Sequence, residues 1–173
     1  QDQITLTEKF KVLLGGRFDT FSEDTTNRLV DETTSQSDTA FSPRIGVVYQ
    51  PTQAVSLYAS YARSFTPTIG TSANGEDFSP ERGTQYEVGV KADINNRLSA
   101  TLAFYDLTRA NVTTSDPDNS LFQIQTGEQK SQGIELDING EILPGWNIIA
   151  GYAYTDARVT EDNSISEGNR LRN

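Results

Sequence analysis

Residues 133–142 read Gly133-Ile134-Glu135-Leu136-Asp137-Ile138-Asn139-Gly140-Glu141-Ile142. Every second position is apolar or glycine: Ile134, Leu136, Ile138, Gly140 and Ile142. The positions between carry Glu135, Asp137, Asn139 and Glu141. A period of two places these sets on opposite sides of an extended chain, whereas a helix would scatter them around its axis. The stretch is therefore a strand with one dry and one wet side.

The same pattern recurs to either side. On 86–94, Tyr86, Val88, Val90, Ala92 and Ile94 alternate with Glu87, Gly89, Lys91 and Asp93. On 97–105, Leu98, Ala100, Leu102 and Phe104 alternate with Ser99, Thr101, Ala103 and Tyr105. On 146–155, Trp146, Ile148, Ala150, Tyr152 and Tyr154 alternate with Asn147, Ile149, Gly151, Ala153 and Thr155.

Turn-forming residues recur near Thr7-Glu8-Lys9, Pro51-Thr52-Gln53, Asn95-Asn96-Arg97 and Leu143-Pro144-Gly145. Long polar connections are expected at about 23–40, 66–81, 113–120 and 160–173. Short turns at one end and long loops at the other describe a membrane barrel better than a soluble sandwich, which mixes loop lengths at both ends.

Aromatic spacing agrees. On the apolar side Phe10 and Phe18 are eight residues apart, as are Phe41 and Tyr49, and Trp146 and Tyr154. Eight residues span ~27 Å of strand, less after tilting, near the ~25 Å apolar band between aromatic girdles. Phe10, Tyr49 and Trp146 fall at the short-turn end. Phe18, Phe41, Tyr86, Phe104 and Tyr154 fall toward the long loops, so these eight are the expected membrane-belt aromatics. Arg17, Asp19, Arg44, Glu87, Lys91, Asp93, Glu135 and Asp137 occupy the other side, which must face a wet or plugged interior because hydrocarbon excludes charge.

Composition sets further bounds. Of 173 residues 35% are apolar, and Cys, His and Met are absent. No apolar run approaches the ~18 residues of a spanning helix, so any span is made of strands. Without His or Cys there is no Ser-His-Asp, Cys-His or zinc arrangement, and no enzyme is expected. Glu135 with Asp137 is a conceivable acid–base pair, but a water-facing strand side already accounts for both. The net charge of −10 argues against nucleic acid as a partner. Stretches 22–40, 66–82, 111–120 and 156–173, around the four long connections, supply nine of those ten charges, where they are solvated.

Asp116-Pro117-Asp118-Asn119 offers oxygen ligands for calcium but lacks the glycine and distal glutamate of a calcium loop, so a turn is expected. Asn111-Val112-Thr113 matches a glycosylation pattern that has no use in a bacterial envelope.

The first strand, ending near Leu6, is a stub shorter than the ~9–11 residues needed to cross. Such a stub would leave an unpaired edge in a closed eight-stranded barrel. The chain begins at Gln1 with neither Met nor a signal peptide. The expectation is an internal segment of about eight antiparallel up-and-down strands.

Several stretches resemble one family. These are Phe41 to Pro51 (Phe-Ser-Pro-Arg-Ile-Gly-Val-Val-Tyr-Gln-Pro), Ser56 to Phe65 (Ser-Leu-Tyr-Ala-Ser-Tyr-Ala-Arg-Ser-Phe) and Pro80 to Lys91 (Pro-Glu-Arg-Gly-Thr-Gln-Tyr-Glu-Val-Gly-Val-Lys). Gly15 to Asp19, Ser131 to Asp137 and Gly151 to Asp156 follow the same pattern. In that order they resemble TonB-dependent siderophore receptors, of the ferric-hydroxamate (ferrichrome) branch.

The resemblance implies a 22-stranded bacterial outer-membrane barrel closed by an N-terminal plug. Residues 1–173 would be part of its wall, without the plug domain, the TonB box or the C-terminal strands. It further implies import of a ferric siderophore, with iron as cargo and no resident cofactor. The partners are then that siderophore, outer-membrane lipid and the TonB complex, reached through the missing N-terminal region. A small structural outer-membrane barrel and a soluble all-β binding module are the competing readings. Aromatics and donors near the outer rim are the candidate ligand contacts: Arg63, Phe65, Phe78, Tyr105, Arg109 and Phe122. Acidic loops repel anionic chelates and so favour a neutral or cationic hydroxamate.

Overall fold

Alternating apolar and polar residues separated by tight turns produce a single antiparallel meander. The computed structural model describes residues 1–28, 31–94, 97–116, 118–162 and 167–171. Its strands are β1 (Asp2–Thr7), β2 (Phe10–Asn27), β3 (Glu32–Thr52), β4 (Val55–Thr66), β5 (Glu81–Ile94), β6 (Leu98–Ser115), β7 (Gln123–Leu143) and β8 (Trp146–Glu161). They lie in one sheet in the order β1-β2-β3-β4-β5-β6-β7-β8. Among the described residues each strand contacts only its sequence neighbours, so no second sheet packs on either face.

This architecture has almost no core. Among the described residues only Ala40, Phe78, Ala103 and Val112 are buried hydrophobics. The accessible surface is 12030 Å². A soluble globular monomer of 19.1 kDa would expose about 8,400 Å². Val88 is 52% exposed and packs against no other layer. A soluble module would bury such residues against a second layer, which the described residues do not supply.

The turns sit where the sequence placed them. Thr7 pairs with Phe10 and Leu143 with Trp146 across two-residue turns. Gly145 adopts φ +78°, the left-handed value required at the third position of a type II turn after Pro144. The second turn closes one step later than read, with Thr52 paired to Val55. Asn95 and Asn96 lie outside the described residues, between the ends of β5 and β6.

At the other end the strands run further than expected. Residues 23–40 are not a loop: β2 continues to Asn27 and β3 starts at Glu32, with pairing throughout. Polar residues occupy both faces of this hairpin, with Gln36 buried beneath segment 67–80, so alternation vanishes and the strand signal with it. Thr25, Thr26, Thr33 and Thr34 nonetheless suit extended backbone. The connection 67–80 is the long one. Beyond β8, residues 168–171 turn back alongside it, with Leu171 N–H donating to the Ala157 carbonyl at 2.8 Å. The rest of the expected last loop, 163–166 and 172–173, lies outside the described residues.

Candidate functional site: two faces and an outer rim

Residues opposed in an antiparallel pair share a face, so register assigns every side chain to a side. Phe10 opposes Tyr49 and Phe18 opposes Phe41. One unbroken row runs Leu14, Ile45, Tyr61, Tyr86, Asp106, Gln132 and Asp156 from β2 to β8. The Tyr61 and Tyr86 rings meet in it, centroids 5.1 Å apart. This is the aromatic face, and Phe18 and Trp146 on it are each 69% exposed.

The two aromatic lines cross the rows obliquely. Phe18 lies four residues beyond the row on β2, and Tyr154 two residues short of it on β8, a slip of six over six strand steps. Phe10 lies four residues short on β2 and Trp146 ten short on β8, again a slip of six. The lines are parallel. Between them, on β2 to β8, this face carries Val, Leu, Ile, Ala, Gly, Pro and Tyr, with Arg63 the sole ionised side chain among the described residues of those strands, while Asp2 at the start of β1 opposes Leu14 on the same face.

Past the upper line the aromatic face turns ionic. Lys130 Nζ pairs with Asp106 at 3.0 Å. Arg158 and Arg170 both hold Asp156, at 3.0 and 3.1 Å. Charge on this side begins two residues after Phe104 and Tyr154, where hydrocarbon no longer has to be met.

The opposite, polar face carries a hydrogen-bonded lining. The Tyr58 hydroxyl donates to Glu87 Oε1 at 2.8 Å, and Gln85 Nε2 donates to Glu87 Oε2 at 3.1 Å. Tyr105 Oη and Thr155 Oγ1 are hydrogen-bonded at 2.9 Å. Each tyrosine lies over a glycine on the neighbouring strand. A Cβ on Gly89 would stand 2.5 Å from the Tyr58 ring, and one on Gly133 2.6 Å from Tyr105. Those glycines exist to admit the rings.

At the outer rim carboxamides, not aromatics, organise the long connection. Gln36 donates to the carbonyls of Thr68 and Phe78, at 3.0 and 2.9 Å. Gln125 accepts from Ser79 N–H at 2.6 Å and donates to the carbonyls of Ser79 and Asn111. Asn111, at φ +60°, donates to the Pro80 carbonyl at 2.9 Å. Segment 67–80 is thus strapped to β3 on one side and to β6 and β7 on the other. No local pattern marks these residues, because a glutamine that clamps a distant loop looks like any polar rim residue.

The six candidate contacts fall into separate places. Arg63 and Phe65 are on the aromatic face, opposite Thr84 and Arg82. Tyr105 and Arg109 are on the polar face, where Arg109 is ion-paired with Glu81. Phe78 is buried under segment 67–80, its ring against Gly70. Phe122 is an exposed turn residue whose N–H donates to the Asn119 carbonyl at 2.9 Å. Tyr105 and Arg109 share the polar face, and Arg63 and Phe65 the opposite one. The Asp116 carboxylate accepts from its own backbone at Asp118 and Asn119, at 2.8 and 3.2 Å, as in an Asx turn.

Residues 1–173 match the family model described as TonB dependent receptor-like, beta-barrel. The metal-pseudopaline receptor CntO of Pseudomonas aeruginosa is 43% identical over the whole chain, which covers 25% of that protein. The ferrichrome outer membrane transporter/phage receptor of Escherichia coli is 36% identical over 90% of the chain and 21% of its own length. Among solved structures, the alcaligin outer-membrane receptor FauA from Bordetella pertussis superposes with a TM-score of 0.78 at 24% identity, over 98% of this chain and 30% of that one. The chain spans about a quarter of the length of the curated relatives it matches.

Proposed function

Because this chain belongs to the TonB-dependent receptor β-barrel family, we propose that it is wall and outer rim of an outer-membrane receptor that imports a metal chelate of the siderophore class. The parallel slip of the two aromatic lines carries this reading. Six residues over six strand steps is one residue per strand. With a rise of ~3.3 Å and a strand spacing of ~4.8 Å, lines at constant height then require a tilt of about 35°, within the ~35–45° of membrane barrels. Eight residues at that tilt rise about 22 Å, close to the thickness of the apolar band.

On this reading the aromatic face meets acyl chains. Phe10, Tyr49 and Trp146 mark one membrane surface, and Phe18, Phe41, Tyr86, Phe104 and Tyr154 the other. The polar face lines the lumen. The open edge of β1 and the part of the β8 edge not met by residues 168–171 pair with further strands of a larger barrel, and a plug occupies its interior. Chelated metal is cargo, and the TonB complex supplies energy through the parent protein's remaining domain. The names of the relatives support a ferric siderophore or a related metal–metallophore complex as substrate.

The test is uptake of radiolabelled ferric hydroxamate by cells in which the full-length parent is the only such receptor. Uptake that disappears without TonB supports the proposal. Equal uptake with the parent deleted defeats it.

A further inference from the structure

Beyond Phe18 and Phe41, the β2–β3 hairpin and the strapped segment 67–80 flank an open cavity of about 220 Å³. At ~30 Å³ per water this holds about seven waters, or a short flexible chain. Register places Glu23, Thr25, Thr34 and Gln36 on the polar face, so the cavity opens on the lumen side. Its linings are of two kinds. Ile69, 55% exposed, and Gly70 against the Phe78 ring supply an apolar wall. Glu23 from β2 and Asp77 from the strap supply carboxylates, beside the hydroxyls of Thr25, Thr34 and Thr71.

No cation lines this cavity, and neither carboxylate has an ion-pair or hydrogen-bond partner for its side chain among the described residues. Three other rim carboxylates are ion-paired: Glu81 with Arg109, Asp106 with Lys130, and Asp156 with Arg158 and Arg170. The geometry is also held. Gln36, nine-tenths buried, ties both limbs of the strap through Thr68 and Phe78, so Asp77 is carried opposite β2 by a fixed support. An apolar wall beside two unmatched carboxylates and three hydroxyls complements methylenes that end in a positive charge.

We infer that this cavity is a subsite for an alkylammonium arm of the imported chelate, selecting chelates that carry a free primary amine. The inference rests on the import reading and names the substrate class for it. The arm's methylenes lie along Ile69, and its ammonium donates to Glu23, Asp77 and the threonine hydroxyls. No bond forms or breaks, and release needs only that the strap or the ligand move.

The test uses the full-length receptor in detergent and three ferric trihydroxamates built on one scaffold: a free primary amine, its N-acetyl derivative and its N-succinyl derivative. Equilibrium titration should show the amine bound about three- to tenfold more tightly than the N-acetyl form, the scale of one or two solvent-exposed charge pairs. Added salt should shrink that ratio. In E23Q/D77N the ratio should fall to one, and in E23K/D77K the succinylated chelate should become the preferred ligand. Heat-modifiable gel migration checks that each variant keeps its barrel. A wild-type ratio of one, or a preference that survives in E23Q/D77N, overturns the subsite. If all three chelates bind and enter cells equally, the subsite falls and import stands. If none binds, both fall.

Discussion

The Tyr58 hydroxyl reaches across the β4–β5 pair to Glu87 at 2.8 Å, its ring filling the space that Gly89 leaves open. Three residues on two strands therefore act together. A side chain at 89 would expel the ring, and losing the ring would leave a partly buried carboxylate with Gln85 as its remaining partner.

Gly89→Ala should destabilise the folded receptor by about 1–3 kcal/mol, the usual cost of forcing atoms into occupied space. Tyr58→Phe should cost less, about 0.5–1.5 kcal/mol for one hydrogen bond. Combining Gly89→Ala with Tyr58→Ala should cost clearly less than the two single changes added together, since the clash vanishes with the ring. Denaturant unfolding of the full-length protein in lipid vesicles measures all of these. Strict additivity would show that the ring and the glycine are independent.

Val90 lies midway between Tyr86 and Ile94 on the aromatic face of β5, next in sequence to Lys91 on the polar face. Val90→Arg should cost about 2–4 kcal/mol, the midplane penalty for a lipid-facing arginine. Lys91→Arg, one residue away, should change stability by less than about 0.5 kcal/mol. Folding yields into vesicles followed by unfolding titrations compare them. Equal tolerance at the two positions would mean that the aromatic face does not meet lipid.

Removal of the Gln36 side chain leaves the Thr68 and Phe78 carbonyls without their shared donor. Gln36→Ala should loosen segment 67–80, at a local cost of about 1–3 kcal/mol. Proteolysis of intact cells should cut the parent receptor in this segment several-fold faster, with the barrel's heat-modifiable migration unchanged. Gln125→Ala should have the same effect from the other anchor. Cleavage at the wild-type rate in both variants would show that the carboxamides do not hold the strap.

Gly145 is held at φ +78° with nothing within 4 Å of a Cβ added there. The only penalty for Gly145→Ala is conformational, about 1–2 kcal/mol for an L-residue in left-handed backbone. Gly145→Asn should cost less, because asparagine tolerates that region. A larger loss for asparagine than for alanine, in the same unfolding assay, would rule out backbone strain as the cause.

Much of this molecule is legible in one dimension. In 133–142 and 86–94 the face of each side chain follows from odd or even position, which is a property of extended backbone alone. The turn at Pro144-Gly145 is equally local. Where alternation lapses the reading fails: residues 23–40 look like a loop, yet 23–27 and 32–40 are paired ends of β2 and β3, because a hairpin polar on both faces shows no alternation. The placement of the candidate contacts was illegible for a related reason. Arg63 and Tyr105 both read as rim residues, and only pairing shows that they point to opposite sides of the sheet.

The amino-acid sequence by itself determined the strands, their two faces and the family, since each depends on residues close together in the chain or on runs repeated along it. Relative height did not follow from it. That Tyr154 on β8 stands level with Phe18 on β2, six residues out of register, depends on how six strand pairs are aligned. The cavity between Glu23 and Asp77 depends on a clamp, Gln36, that touches residues 32 and 42 positions away. Register and loop closure are non-local free-energy choices, so only the tertiary structure decided them.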